Sequence, residues 1–81
     1  MKAHVYVTLK KTVLDPQGQT IARALKGMGH AEISSVRQGK YFEIEIAEGT
    51  SRAEAEASLD KIAQDVLSNP VIEEYRVVME D

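Results

Sequence analysis

The chain has 81 residues, a formal net charge of −3 at pH 7 and no cysteine. This length predicts a single domain over residues 1–81, with a slim margin of stability for a lone copy. The lack of cysteine excludes disulfides, thiolate metal sites and a cysteine nucleophile, and it agrees with a reducing compartment. No apolar stretch resembles a signal peptide or a membrane span, so we expect a cytoplasmic protein.

Four segments have the residue pattern of β-strands. The first and third place β-branched or aromatic residues at alternate positions, as expected for a strand with one buried face, and the last is rich in apolar residues on both faces. These segments cover residues 3–9, 32–37, 40–46 and 71–79. Gln38-Gly39 between the second and third segments predicts a tight hairpin turn, because glycine supplies the positive φ that such turns need.

Two segments have the pattern of amphipathic helices. The first is expected over residues 16–28, with Asp15 as its cap and Gly29 as a left-handed stop. The second begins at a capping box of Ser51 and Glu54 and ends before Pro70. Apolar residues recur at helical spacing in both. The two stripes comprise Ile21, Ala24, Leu25 and Met28 in the first helix, and Ala55, Leu59, Ile62, Ala63, Val66 and Leu67 in the second.

The order of these elements predicts an α+β fold of ferredoxin-like β-α-β-β-α-β topology. Both helices would cover one face of a four-stranded antiparallel sheet. The open face would mix aromatic and polar groups, which is more typical of a protein interface than of bare surface. With the small size of the chain, this predicts a homo-oligomer, either a dimer or a dimer of dimers. The open face would carry His4, Tyr6, Thr8, Tyr41, Glu43 and Glu45, and the candidate interface residues are Tyr6, Tyr41 and Val77.

Residues of catalytic type lack the partners that their chemistry requires. Zinc needs several converging ligands, a general acid needs desolvation, and a serine nucleophile needs an adjacent base. A phosphate-binding glycine loop must open a helix, whereas the glycines here end one. We therefore expect no catalytic residue, no metal site and no cofactor in this chain. The residues concerned are His4, His30, Glu43, Glu45, Ser34, Ser35, Gly27 and Gly29.

Charge is distributed unevenly along the chain. Residues 1–41 contain seven Lys or Arg and two Asp or Glu, whereas residues 42–81 contain three and eleven. An acidic solvated helix would explain this, and so would basic and acidic surfaces that face different partners or face each other between subunits. Four cations at predicted strand ends are either ordinary charged ends or a patch for a phosphate or an acidic partner: Lys10, Lys11, Arg37 and Lys40. Nucleic acid is disfavoured, because the chain is acidic and its sheet offers few aromatic residues for stacking.

Three stretches of the chain resemble the PurS family. Residues 5–25 resemble the opening of that family, and the stretch Leu14-Asp15-Pro16-Gln17-Gly18 is the most specific part. Residues 36–40 resemble its hairpin, and residues 67–73 resemble its junction between helix and strand. The resemblance extends over essentially the whole chain without an insertion.

PurS is the small subunit of phosphoribosylformylglycinamidine synthase, a glutamine-dependent, ATP-using C–N ligase of purine biosynthesis. The resemblance implies a non-catalytic subunit that supports docking of a glutaminase subunit and a large synthetase subunit, and ammonia transfer between them. The glutaminase would hold the cysteine nucleophile, and the large subunit would bind ATP and Mg²⁺. The assembly would convert formylglycinamide ribonucleotide, glutamine, ATP and water to the amidine, glutamate, ADP and phosphate.

The stretches that carry the resemblance also contain the candidate partner-binding residues. These are Lys10, Asp15, Pro16, Gln17, Gly18, Arg37, Lys40 and Asn69. Asp15 has a simpler role available as a helix cap. Two rival functions remain open, a regulatory module of similar topology that binds a small metabolite, and an acylphosphatase-like enzyme. The enzyme would need an arginine in the loop after the first strand, and residues 10–20 contain none.

Overall fold

The computed structural model describes residues 1–80 of the chain. It contains three strands, two α-helices and a short π-helical segment. None of the helices in this part of the chain has the length and apolar character needed to cross a membrane. The elements are β1 (Lys2–Leu9), α1 (Pro16–Gly27), β2 (Gly39–Glu45), α2 (Arg52–Ile62), the π-helical segment (Ala63–Leu67) and β3 (Glu73–Glu80).

The sheet has the order β2-β1-β3, and both pairs are antiparallel. Strand β1 lies at the centre, where Tyr6 is opposite Tyr41 on one side and Arg76 on the other. Its alternate residues Val5 and Val7 are fully buried. The predicted alternation of this strand is confirmed, and its apolar side faces the core.

Helix α2 and the π-helical segment cover one face of the sheet. Ala55, Leu59 and Ala63 recur at every fourth position and are buried against it. The Ser68 hydroxyl and backbone N–H both donate to the Ala63 carbonyl oxygen, at 2.7 and 3.0 Å, and so close the wide last turn. Five partly buried side chains surround this core: Phe42, Ile44, Leu67, Tyr75 and Val77.

The expected fourth strand is not confirmed, because the sheet formed by residues 1–80 has three strands. Residues 33–38 have no regular secondary structure and no strand partner. The Gln38 backbone N–H, which a hairpin would direct elsewhere, donates to the Asp15 carboxylate at 2.7 Å. Residues 36–38 are therefore held against the start of α1, and the predicted hairpin does not form.

Helix α1 stands away from the sheet, contrary to the expectation that it covers one face. The substantial contacts within residues 1–80 join β1 to its neighbours, and α2 and the π-helical segment to each other and to β3. Ile21 and Met28 of the α1 stripe remain 39% and 72% exposed. The radius of gyration is 16.3 Å, against about 12 Å for a compact chain of this length. We call residues 10–38 the arm.

Two smaller predictions also differ from the structure. Ile62 and Val66, expected in the buried stripe of the second helix, are exposed. The buried positions of this helix, Ala55, Leu59 and Ala63, are four residues apart, and Ile62 and Val66 fall outside that spacing. The last strand begins at Glu73 rather than at residue 71, because the Asn69 carbonyl accepts from the Ile72 and Glu73 N–H groups and forms a turn.

Replacing Leu59 by alanine should destabilise the fold strongly. Leu59 is 3% exposed, and removing such a side chain costs about 2–5 kcal/mol of unfolding free energy. Ile62→Ala on the same helix is the matched control, since Ile62 is 40% exposed and its truncation leaves a smaller cavity. Urea denaturation of both variants measures the difference, and equal losses would contradict the packing described here.

Candidate functional site: the arm junction and the adjacent end of the sheet

The base of the arm is fixed by one carboxylate. Asp15 is 4% exposed, and its Oδ1 accepts from the Gly18 N–H at 2.9 Å. Its Oδ2 accepts from the Gln38 N–H at 2.7 Å. Asp15 therefore caps α1, as the sequence predicts, and also ties the helix to a residue 23 positions later. We call residues 10–18 and 36–38 the arm junction.

The ionised form of Asp15 is favoured at this position. The Gln38 and Gly18 N–H groups lower the pKa of Asp15, and the nearby Arg37 guanidinium lowers it further, against an opposing effect of burial. Hydrogen bonds to a carboxylate stabilise its charged form, because the donors replace the water that it loses. The junction is therefore stabilised by charge at neutral pH.

Arg37 fixes the loop that follows β1. Its Nη2 donates to the carbonyl oxygens of Lys10 at 3.0 Å and Val13 at 2.9 Å. The sequence offered Arg37 as an ordinary strand-end cation or as part of a binding patch. The structure gives it a third role, since one guanidinium nitrogen satisfies two loop carbonyls and holds the loop in place.

Gly18 is required where the helix approaches residue 36. A Cβ at position 18 would lie 2.1 Å from the Val36 carbonyl oxygen and 2.9 Å from an Asp15 carboxylate oxygen. Beside it, the Gln38 side-chain amide donates to the Gln17 side-chain oxygen at 2.7 Å. The Asp15-Pro16-Gln17-Gly18 motif therefore builds a close contact between helix and chain, which explains a sequence more elaborate than a cap needs.

Two other candidate residues meet through Glu73. Its Oε1 accepts from the Asn69 N–H at 2.7 Å, and its Oε2 lies 3.4 Å from the Lys40 Nζ. Lys40 also lines a cavity of about 310 Å³ together with Asp15 and Gln17. The Lys10 N–H donates to the Ile72 carbonyl at 2.8 Å, next to this turn.

The candidate partner-binding residues thus gather at one end of the sheet. Asp15 and Gly18 are buried, so they act through the positions of their neighbours. Lys10 is half-buried, and the side chains of the remaining members are exposed: Pro16, Gln17, Arg37, Lys40 and Asn69. We call these six residues the end surface.

The open face of the sheet carries an ordered aromatic and polar cluster. The Tyr6 and Tyr41 rings lie 5.2 Å apart, and the Arg76 guanidinium lies 4.7 Å from the Tyr6 ring centroid. The His4 Nδ1 is 2.5 Å from the Tyr41 hydroxyl, and its Nε2 is 2.7 Å from the Glu80 carboxylate. An ionised carboxylate only accepts hydrogen bonds. In the neutral form of His4, Nε2 therefore donates to Glu80, and Nδ1 accepts a hydrogen bond from the Tyr41 hydroxyl. Burial, followed by the charge of Glu43, raises the pKa of Tyr41.

The predicted interface residues lie on two different faces. Tyr6 and Tyr41 share the open face, whereas Val77 packs beside the core on the covered face. Sequence reasoning missed Arg76 and Glu80. The pairing of β1 with β3 brings Arg76 to Tyr6 and Glu80 to His4, although these strands come from opposite ends of the chain. The alternation of residues along β3 could have indicated their role, because it places Arg76 and Glu80 on the same face of the sheet.

The carboxylate pair considered from the sequence is neutralised by a cation. The Lys2 Nζ lies 2.9 Å from Glu43 and 3.6 Å from Glu45, and the hydrogen bond from Lys2 lowers the pKa of Glu43. A lowered pKa is the opposite of what a general acid needs at neutral pH. Within residues 1–80, no group of three or more His, Cys, Asp or Glu could hold a metal ion.

Replacing Gly18 by alanine should disrupt the arm junction, because the new methyl group would collide with the Val36 carbonyl. We expect a loss of more than about 1 kcal/mol in unfolding free energy. Gly27→Ala in the same helix is the control, since nothing lies within 4 Å of its Cβ position and alanine favours a helix by up to about 1 kcal/mol. Thermal unfolding of both variants tests this, and equal stability would contradict the close approach.

The contribution of Asp15 to the free energy of unfolding should depend on pH. Its native pKa is lowered, so its stabilisation is fully present above the unfolded-state value of about 4 and is lost as the pH falls through the native value. We expect the difference in unfolding free energy between the wild type and Asp15→Asn to be constant near neutrality and to shrink in acid. Denaturation between pH 7 and pH 2 measures it. A difference that persists unchanged at pH 2 would contradict the bonded carboxylate.

Comparison with known proteins identifies relatives over nearly the full length of the chain. The family model PurS, described as phosphoribosylformylglycinamidine (FGAM) synthase, matches residues 2–81. The phosphoribosylformylglycinamidine synthase subunit PurS of Mycobacterium leprae is 47% identical over 79 residues, which are 98% of this chain and 95% of the relative.

Solved structures agree with this match. A structure of Bacillus subtilis PurS has a TM-score of 0.88 and 40% identity, covering 99% of this chain and 98% of the other. A chain of the PurLQS structure from Thermotoga maritima has a TM-score of 0.76 and 29% identity, covering 95% of this chain and 93% of the other. The fold, the motif at the arm junction and these matches lead to one conclusion: the chain belongs to the PurS family of phosphoribosylformylglycinamidine synthase subunits.

Proposed function

We propose that this chain is the non-catalytic assembly subunit of a cytoplasmic phosphoribosylformylglycinamidine synthase. It holds a glutaminase subunit and an ATP-using synthetase subunit, the site of ATP and Mg²⁺, so that ammonia passes from one to the other. The PurLQS structure from Thermotoga maritima supports this role by likeness. Ammonia released at one site must reach the second before it escapes to water, so the two sites must be held in register.

The observation that carries the proposal is the uncovered arm. The apolar stripe of α1 has no substantial contact with the sheet of its own chain, and Ile21 and Met28 are exposed. The sheet in turn has one helical layer, so Phe42 and Ile44 at its β2 side are only partly buried. Exposed apolar surface of this kind is typical of an interface.

A second copy of the chain fits both uncovered surfaces. We infer a homodimer in which α1 of each copy lies beside α2 on the covered face of the partner's sheet. Residues 32–37 have the pattern of a strand and lack a partner within the described chain. In the dimer they would pair along the outer edge of β2 and complete the four-stranded, ferredoxin-like layer. Exchange of identical elements is a common route to closed two-fold assemblies.

The open face offers a further surface for association. Tyr6, Tyr41 and Arg76 form a preorganised aromatic and cationic cluster, and such residues are enriched at interfaces. We assign this cluster to contact between dimers, as in a dimer of dimers. The end surface then remains for the larger subunits.

The isolated chain should sediment as a dimer or tetramer at micromolar concentration, because the exposed apolar stripe of α1 requires a cover. Ile21→Glu should shift the chain towards monomer, since a charge would be buried against the partner's sheet. Arg23→Glu, on the same helix but outside the apolar stripe, is the control. Sedimentation equilibrium of the three proteins decides, and a 9.0 kDa wild-type monomer would overturn the proposed dimer.

Omitting the chain from a reconstituted complex should abolish amidine formation from glutamine and spare amidine formation from added ammonium. Free ammonia bypasses the need for docking, whereas ammonia made by the glutaminase does not. The measurement is the rate of formylglycinamidine ribonucleotide production with each nitrogen donor. Equal glutamine-dependent rates with and without the chain would contradict the assembly role.

A Lys10→Gln/Lys40→Gln variant tests the end surface in the same assay. Its glutamine-dependent rate should fall and its complex should dissociate at lower salt, because rim charges act mainly through screened attraction. Lys61→Gln is the control, since its side chain is 82% exposed on helix α2 and is not part of the end surface. Normal assembly of the double variant would place the docking contacts elsewhere.

A further inference from the structure

A second cavity lies on the other side of the arm, between α1 and residues 34–37. It has a volume of about 390 Å³, which is within the range of small-molecule sites. Helix α1 contributes Arg23 and Lys26 to its wall, and the facing segment contributes Ser34, Ser35 and Arg37. The proposed assembly role uses Arg37 as part of the end surface, and the proposed dimer uses the backbone of residues 32–37 for strand pairing. Neither assigns a role to the side chains of Arg23, Lys26, Ser34 and Ser35.

Two of the three cations in the cavity wall have no partner among residues 1–80. No ion pair or hydrogen bond involves the side chains of Arg23 and Lys26 within residues 1–80, and the same holds for the hydroxyls of Ser34 and Ser35. Asp15 is the single acid in the wall, and both of its oxygens already accept backbone hydrogen bonds. The cavity wall therefore carries positive charge and hydrogen-bond donors without a partner, and its carboxylate already accepts hydrogen bonds from the backbone.

Arg37 is a rigid part of this wall. Its Nη2 is held by the carbonyls of Lys10 and Val13, and the other guanidinium nitrogens have no hydrogen-bond partner in the described chain. A planar guanidinium with free donors suits the oxygens of a phosphate. Because its position is already fixed, little conformational entropy is lost when it binds an anion.

We propose that this cavity binds the phosphate monoester of a small metabolite, with Arg23, Lys26 and Arg37 neutralising the charge. The hydroxyls of Ser34 and Ser35 donate to the phosphate oxygens. Leu14, Ala22 and Val36 form the apolar part of the wall and contact the body of the ligand. The chain thereby has a ligand site of its own, which shares Arg37 with the end surface proposed to hold the larger subunits.

The test uses AMP as the phosphate monoester, adenosine as its counterpart without phosphate, and a tetraglutamate peptide as a carboxylate source. Isothermal titration of the full-length chain should show that AMP binds at one site per chain and adenosine does not. Arg23→Gln/Lys26→Gln should weaken AMP binding at least about tenfold, since hydrogen bonds to charged groups contribute on that scale. Lys11→Gln/Lys61→Gln, which makes the same change in net charge away from the cavity, should bind AMP as the wild type does.

Three results would overturn the proposal. The first is no AMP binding up to about 10 mM, a concentration that corresponds to negligible affinity. The second is unchanged AMP binding by the Arg23→Gln/Lys26→Gln variant. The third is binding of tetraglutamate as tight as that of AMP. The last result would assign the cavity to an acidic protein segment. Both substitutions keep good helix-forming residues on an exposed helix face, and equal melting temperatures of the variants confirm that the fold is retained. Loss of AMP binding would leave glutamine-dependent activity unchanged, so the outcome is distinct from failure of the assembly role.

Discussion

The two hydrogen bonds accepted by the Asp15 carboxylate join parts of the chain that are 23 residues apart. They determine where the arm points, because residue 38 leads directly into β2 and residue 15 leads directly into α1. Arg37 fixes the loop after β1 to the same junction through hydrogen bonds to two backbone carbonyl oxygens. Gly18 allows the close approach that these bonds need. A helix held in this way at its first turn projects from the sheet that it would otherwise cover.

The projecting arm explains why the core of the lone chain is so small. Among residues 1–80, six apolar residues are buried, three from β1 and three from α2 and the π-helical segment. None comes from α1, although its apolar stripe is well formed. A chain of this size needs further buried surface for stability. The small core of the single chain therefore supports the proposed association of two copies, which would bury the apolar stripe of α1.

Local features of the structure were predictable from the sequence. The alternation of β1, the Asp15 and Ser51 caps and the left-handed Gly29 all depend on neighbouring residues, and the structure has each of them. The amphipathic stripe of α1 was also predictable, but such a stripe does not indicate whether the surface that covers it belongs to the same chain or to another. The pattern of residues 32–37 indicates a strand, and local pattern alone contains no information on whether its partner is in the same chain.

The candidate site was predictable in part for the same reason. The motif from Asp15 to Gly18 was identified as special, since it exceeds what a helix start requires. Its bond to Gln38 and the contact of Gly18 with Val36 depend on long-range approach, which spacing does not reveal. The joining of His4 to Glu80 likewise depends on the register between β1 and β3. Several residues that act across the fold were therefore identified, but the partners that they contact were not.

Contact between α1 and the sheet of a second copy is the central claim, and isotope-filtered NMR tests it directly. In a sample mixed from ¹³C-labelled and unlabelled chains, only contacts between different chains give filtered cross-peaks. The account predicts filtered cross-peaks between the methyl groups of Ile21 and the ring of Phe42. Cross-peaks between these two residues that appear only within one uniformly labelled chain, and vanish from the filtered spectrum, would contradict it.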